Sequence, residues 1–284
     1  MTALQPGDTT ANPWADEANS VEFIRQVLGI YDGRFLACSD DLRRRMTAGT
    51  RQLLDVLLTD EIRARLPVGH RMRAFCIRHD LIEELTRLVA DEAAGRLEGA
   101  VVVGGRVYAV YPYLRGVPRQ DADITAEVGV EHRLRAVSWT GGALRISGRA
   151  AIERVAARDE LIEIVLRERA TGAELRVGAD EHDEEGFAAT IALTDLRPGH
   201  WDVHVSVRAL GVVRQAPFGA VRDVDRDADW GGSLPDRPEA TVYLIGDGHL
   251  AIAVPGRTRR LTRTWWRRLT RRGATASDAP GVSR

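Results

Sequence analysis

Apolar residues recur at helical spacing from residue 21 to about residue 98, then change to strand-like alternation through residue 256. In residues 21–36, Phe23, Ile24, Val27, Leu28 and Tyr31 share a helical face, and Asp32-Gly33 predicts an interruption. Residues 39–58 predict a second helix, capped by Ser39 or Asp40, with Leu42, Met46, Leu53, Leu54, Leu57 and Leu58 mainly on one side. Thr59 or Asp60 can cap a short third helix that ends before Pro67. Residues 71–94 predict one continuous fourth helix, bearing Met72, Phe75, Cys76, His79, Ile82, Leu85, Leu88 and Val89, with Gly95 as its stop.

Beyond the seam, residues 101–114 predict two strands joined at Gly104-Gly105. Further strands are expected at 124–137, 143–148, 161–169, 187–193 and 201–209. The last alternates most cleanly: Trp201, Val203, Val205 and Val207 against Asp202, His204, Ser206 and Arg208. That pattern fits a half-buried antiparallel strand. Residues 222–240 are acidic and rich in Gly and Pro, which predicts a long loop. Residues 241–254 predict a hairpin about Asp247-Gly248 that adds to the same sheets, or begins a second sandwich.

The expected fold class is therefore α+β: an N-terminal helical module followed by an antiparallel immunoglobulin-like β-sandwich. The divisions are a disordered lead at 1–20, a helical linker domain at 21–98 and a β-sandwich at 99–256 with the loop 222–240 inside it. A basic amphipathic segment at 257–273 and a disordered tail at 274–284 complete the chain.

Composition changes this picture little. The 284 residues are 44% hydrophobic with a net charge of −1, as expected of a folded chain. The first 20 residues lack the apolar run of a secretory signal, and no stretch has the length of a membrane span. Cys38 and Cys76 are expected to be buried free thiols, which suits a cytoplasmic setting. All 40 basic residues are arginine, since the chain contains no lysine.

The strongest local chemistry is the segment 257–272. Arg257, Arg259, Arg260, Arg263, Arg267, Arg268, Arg271 and Arg272 surround Trp265 and Trp266. On a helix, Leu261, Trp265 and Leu269 would form one apolar stripe. Such a segment suits an anionic membrane surface or a phosphate-bearing polymer. The blander alternative is that the tryptophans dock on the sandwich and the arginines are solvated. Nucleic acid is not the expected partner.

The other polar clusters are weaker. Asp223, Asp225, Asp227 and Asp229 alternate, but the Gly and Glu of a calcium loop are out of register. Asp121-Ala122-Asp123 has an Asp-x-Asp spacing, but it precedes a sandwich strand and reads as loop acid. His200 and His204 would lie about 13 Å apart on a strand, too far for one metal. His182 reads as part of a polar turn, and His70 and His79 as surface or helix-end residues. No serine has a nucleophile-elbow setting, and no phosphate-binding loop occurs. No catalytic residue, metal or cofactor is assigned.

The order of these pieces resembles the C-terminal half of family 2 glycosyltransferases of the teichoic-acid type, the polyribitol-phosphate N-acetylglucosaminyltransferases and their actinobacterial relatives. VEFIRQVLGIYDGRFLACSDDLRRRMTAGTRQLLDVLLTDEIRARLP and GHRMRAFCIRHDLIEELTRLV look like the helical linker. The stretch from VVVGGRVYAVYPYL through WDVHVSVRALG looks like the first sandwich domain. The resemblance implies a GT-A catalytic domain that this sequence does not contain, encoded upstream or separately. It also implies assembly, as a trimer, and the holding of an anionic polymer near the catalytic site. The expected role is non-catalytic support of a cell-wall glycosyltransferase, at the inner face of the plasma membrane. The alternative is a stand-alone adaptor that binds a partner through its helices.

Overall fold

The computed structural model describes residues 17–96, 99–140, 142–157, 159–183, 186–222 and 240–256. Six helices come first: α1 (Glu17–Gly29), α2 (Gly33–Leu36), α3 (Asp40–Leu57), α4 (Asp60–Ala64), α5 (Val68–Arg78) and α6 (Ile82–Ala93). Three begin at side chains that satisfy an otherwise unpaired amide: Asp32 accepts from the Arg34 N–H, Ser39 from Leu42 and Thr59 from Ile62. The apolar faces close over Ile24, Leu28, Tyr31, Phe35, Leu54, Met72, Ile77 and Leu85, all almost fully buried. The one polar atom of Tyr31 is satisfied inside, where its hydroxyl donates to Thr50 Oγ1 at 2.7 Å.

Three helical expectations need correction. Residues 71–94 are two helices, not one. Asp80 adopts φ 61° and the Leu81 N–H donates back to Cys76 O at 2.9 Å, which ends α5. The same closure ends α6, at Gly95 with φ 66° and Arg96 N–H to Asp91 O. Leu81 and Ile82 carry the apolar rhythm across the first break, and Asp is an unadvertised residue for a left-handed turn. The lead is also shorter than expected, because residues 17–20 already belong to α1; residues 1–16 lie outside the described residues. Of the two free thiols, Cys76 is buried but Cys38 is only half-buried. Burial pushes the Cys76 thiol up to about 12.

The chain then makes a hairpin, β1 (Ala100–Val103) and β2 (Arg106–Ala109), turned by Gly104 and Gly105 at φ 59° and 75°. It forms a two-stranded sheet of its own. A short helix α7 (Arg119–Ala122) follows, and the Ile124 N–H donates to Val107 O on the outer edge of β2.

Two larger antiparallel sheets complete the described chain. One has the order β3-β4-β8-β7, from β3 (Val130–Thr140), β4 (Ala143–Ile152), β7 (Glu181–Asp183) and β8 (Gly186–Ala192). The other has the order β11-β12-β9-β5-β6, from β5 (Leu161–Glu168), β6 (Glu174–Gly178), β9 (Gly199–Ala209), β11 (Thr241–Leu244) and β12 (Leu250–Val254). A further strand, β10 (Val212–Pro217), pairs with the second half of β9. The expected alternation along β9 holds on its apolar side: Trp201, Val203, Val205 and Val207 are buried. They meet Ile146, Ile152 and Ile191 of the other sheet in one core.

The expected strand at 124–137 starts later, at Val130. Residues 125–127 form a turn, held by the Val128 N–H on Ile124 O. His182 lies on β7, not in a turn. Strands β6, β7 and β10 went unforeseen; they are three to six residues long, the apolar side of β6 is only Leu175 and Val177, and β10 has no fully apolar side. The hairpin at 241–254 joins the sheet of β9, through pairs such as Ile252 with Trp201.

Candidate functional site

Among the described residues, a dense polar construction lies where the helices meet the segment that follows the β1–β2 hairpin. Arg71 is 6% exposed and sits on the apolar side of α5, among Val68, Met72 and Phe75. Its guanidinium donates to Asp121 O at 2.8 Å, Leu66 O at 2.7 Å, Asp123 O at 2.6 Å and Glu127 Oε1 at 2.8 Å. Glu127 uses its other oxygen to accept from the Val68 N–H at 2.9 Å, at the start of α5. Asp121 is itself buried and pairs with Arg63. Burial acts to lower the proton affinity of Arg63, but Asp121 and Asp60 outweigh it and raise that affinity.

The spacing Asp121-Ala122-Asp123 therefore serves architecture. Asp121 closes on Arg63; Asp123 accepts from the Thr125 N–H and pairs with Arg106 at 2.5 Å. The two acids are parts of an ordered junction, which corrects the expectation of loop acid. Fork-shaped Arg71 reaching three carbonyls and a carboxylate locks α5 to residues 121–127. Sequence reading missed this arginine. The available signal was a charged residue three after Val68 and four before Phe75, on a face otherwise apolar.

A second cluster lies on the outer face of the β9 sheet, where β12 ends. Arg169 forks onto Asp202 Oδ1 at 2.7 and 2.5 Å and lies 5.9 Å from the Tyr243 ring centre. The Tyr243 hydroxyl is 3.0 Å from His200 Nδ1. Burial raises the Tyr243 phenol above its ordinary value. Val254 pairs with Gly199 here, so the chain leaves β12 beside this cluster. His200 and His204 are on the same face of β9 as expected, and among the described residues no group of His, Cys, Asp and Glu is arranged to hold a metal.

A cavity of about 1290 Å³ opens where β3, β4 and β5 come together. It is lined by both signs of charge, Glu131, Glu153 and Glu160 with Arg133 and Arg149, and by the His132 ring. The residues assigned to anionic binding, Arg257, Arg259, Arg260, Arg263, Trp265, Trp266, Arg267, Arg268, Arg271 and Arg272, lie outside the described residues. So do Asp223, Asp225, Asp227 and Asp229.

Comparison with known proteins places both halves of the chain. The family described as Glycosyl transferase TarS linker domain matches residues 8–89. The family described as TarS beta-glycosyltransferase C-terminal domain 1 matches residues 123–266, just over half of the chain. Comparison with curated protein sequences gave no match. Among solved structures, the chain is similar to a crystal structure of S. aureus TarS 217–571, at 11% identity and a TM-score of 0.46, covering 84% of this chain and 77% of that one. It is similar also to a crystal structure of S. aureus TarS, at 12% identity and a TM-score of 0.41, covering 88% of this chain and 46% of that one. This chain thus spans less than half of that TarS chain. The hairpin and α7 fall between the two matched regions, and the second match runs on into the Arg/Trp segment. The likeness read from the sequence is thereby established: the chain belongs to the TarS beta-glycosyltransferase C-terminal domain 1 family, with a TarS linker domain ahead of it.

Proposed function

We propose that this chain is the non-catalytic accessory region of a teichoic-acid-type, cell-wall glycosyltransferase. It would support assembly and engage an anionic polymer or the inner face of the plasma membrane. The observation that carries this reading is the pair of family matches, linker then C-terminal domain 1, in that order along one chain. The Arg71 junction supports it, because it fixes the helices to the segment that leads into the β-sheets.

Assembly is supported by apolar side chains left in solvent on the β-sheets. Leu161 and Val213 flank Arg208 in register and are 64% and 44% exposed. Leu210, at the adjoining turn, is 59% exposed. A homo-oligomer, trimeric as the resemblance implies, would cover them. Engagement of an anionic surface is assigned to the Arg/Trp segment 257–272, where arginine forks suit phosphate and two tryptophans suit an interface. A cytoplasmic, membrane-peripheral location belongs to the same reading, with catalysis supplied by a GT-A domain encoded upstream or separately.

The test is co-sedimentation of the full chain with vesicles containing anionic lipid, and with a poly(polyol phosphate), over a salt series. The expected result is binding that falls steeply with salt and drops further in Arg267→Ala/Arg268→Ala. Binding that ignores both salt and the paired substitution would overturn the anionic reading.

A further inference from the structure

The chain makes the same tight turn twice, and only one of the two uses the residues that the turn favours. Gly104-Gly105 joins β1 to β2 and Leu210-Gly211 joins β9 to β10, each as a two-residue loop with φ positive at both positions. That pattern suits Gly, Asn or Asp at the first position. Leu210 holds φ 51° there, a left-handed backbone that strains any residue with a bulky side chain. The side chain gains little inside the molecule in return, because the residue is 59% exposed. Strain kept at an apolar residue that faces solvent points to a use outside the single chain.

The turn is held in place from behind. The tips of the two hairpins touch: a Cβ on Gly105 would lie 3.3 Å from Gly211 O, and one on Gly211 would lie 3.4 Å from Gly105 Cα. Arg214 fixes the strand that follows, its Nε donating to Val128 O at 2.9 Å. Leu210 is thus a fixed projection. Val103 on the first hairpin and Val213 on the second, each two residues from a tip glycine, are also exposed, so apolar surface continues from Leu210 onto both strands.

Beside the turn lies a concave counterpart. A cavity of about 330 Å³ opens between the start of β5 and the end of β6. Leu161, Ile162 and Ala179 supply its apolar lining, and Gly178 leaves it open, since a Cβ there would meet no atom within 4 Å. Arg208 also lines it and stands two residues before Leu210. Projection and hollow are therefore neighbours on one patch. Charge divides in the same way. Glu160 and Glu163 line the hollow, whereas Arg106, which follows Gly105 at the projection, pairs with Asp123 and keeps 63% of its side chain exposed.

We propose that Leu210 is a knob that enters the hollow between Leu161 and Ala179 on a second copy of this chain. The contact rests on the assembly proposed above and gives that assembly its anchor. A patch that carries a projection and a hollow side by side is self-complementary. A rotation axis beside it brings the knob of each copy to the hollow of the next, and the contacts close into a small ring. The same rotation brings Arg106 toward Glu160 and Glu163, so the charges of the patch match as its shape does. Burial of the leucine side chain on assembly then offsets the strained turn, and accounts for Leu where Asn would relax the backbone.

Sedimentation velocity on the full chain, across a concentration series, tests the contact with Leu210→Asn and Gly178→Phe. The first removes the knob and installs the Asn-Gly pair that this turn favours. The second fills the hollow from a position with open space around it. Each should raise the dissociation constant of the assembly about tenfold or more. At concentrations where the chain is monomeric, Leu210→Asn should leave the urea midpoint unchanged or raise it, because it relieves a strained turn. Assembly of the unmodified chain that either substitution leaves intact would overturn the knob and assign the interface to another surface. A lowered midpoint in Leu210→Asn would also overturn it, by making Leu210 a structural residue. An unmodified chain that is monomeric throughout would overturn the assembly reading itself, and the knob with it. Should Gly178→Phe not fold, Leu210→Asn decides the matter alone.

Discussion

The Arg71 junction and the seat of Phe218 are both buried, and they are built in opposite ways. At the junction a permanent cation meets three carbonyls and a carboxylate, and Glu127 also covers the first amide of α5. At the second site the fully buried Phe218 ring lies 5.7 Å from Phe187 and 5.6 Å from the His132 ring, and its carbonyl accepts from the Leu250 N–H at 2.8 Å. The first is held by charge-assisted hydrogen bonds, the second by close packing.

The sharpest way to break the comparison is Arg71→Leu. It strands three carbonyls and Glu127 in a buried junction and should cost about 3–5 kcal/mol, read as a lowered urea midpoint. A loss under about 1 kcal/mol would mean that the junction is ornamental.

Gly148→Ala tests the other joint from beneath. Its methyl would meet Arg133 O at 2.4 Å and Phe218 Cζ at 2.7 Å, so overpacking should cost about 1–3 kcal/mol. The loss should appear first as faster exchange at Leu250, with α3 spared. Uniform loss across the chain would deny the Phe218 seat any independence.

The smallest effect is the pH dependence of overall stability, since His132 and His204 are only half-buried and solvent screens them. Both rings bind protons more weakly when folded than the ordinary value of 6.5, so the unfolded chain protonates first. Their stabilisation is complete above about pH 6.5 and is lost as pH falls below it. His70, lowered to about 4 chiefly by burial, acts in the same direction from the helical side. Urea midpoints at about pH 7.5 and about pH 5.5 should show the decline, and His70→Gln should remove only part of it. Stability that rises on acidification would contradict the sign.

The helices were legible because capping residues and apolar spacing agree: Ser39, Thr59 and Gly95 each stand where a helix begins or ends. The break at Asp80 was hidden because only backbone closure distinguishes it. In the sheets, β9 declared itself through strict alternation, whereas β6 and β7 are short strands that pairing defines. The two joints were harder to see. Arg71 and His132 are polar residues at inward positions, and sequence shows such a position without showing its partners. The family likeness was readable from the order of helices, strands and basic segment, since order survives where individual residues do not.

The proposed supporting role turns most directly on assembly. Light scattering on the full chain, at neutral pH and across a concentration series, tests that directly. The account predicts a homo-oligomer, expected as a trimer, that loses mass on Leu161→Glu or Val213→Glu. A monomer at every concentration would contradict it and leave an adaptor that works through its helices.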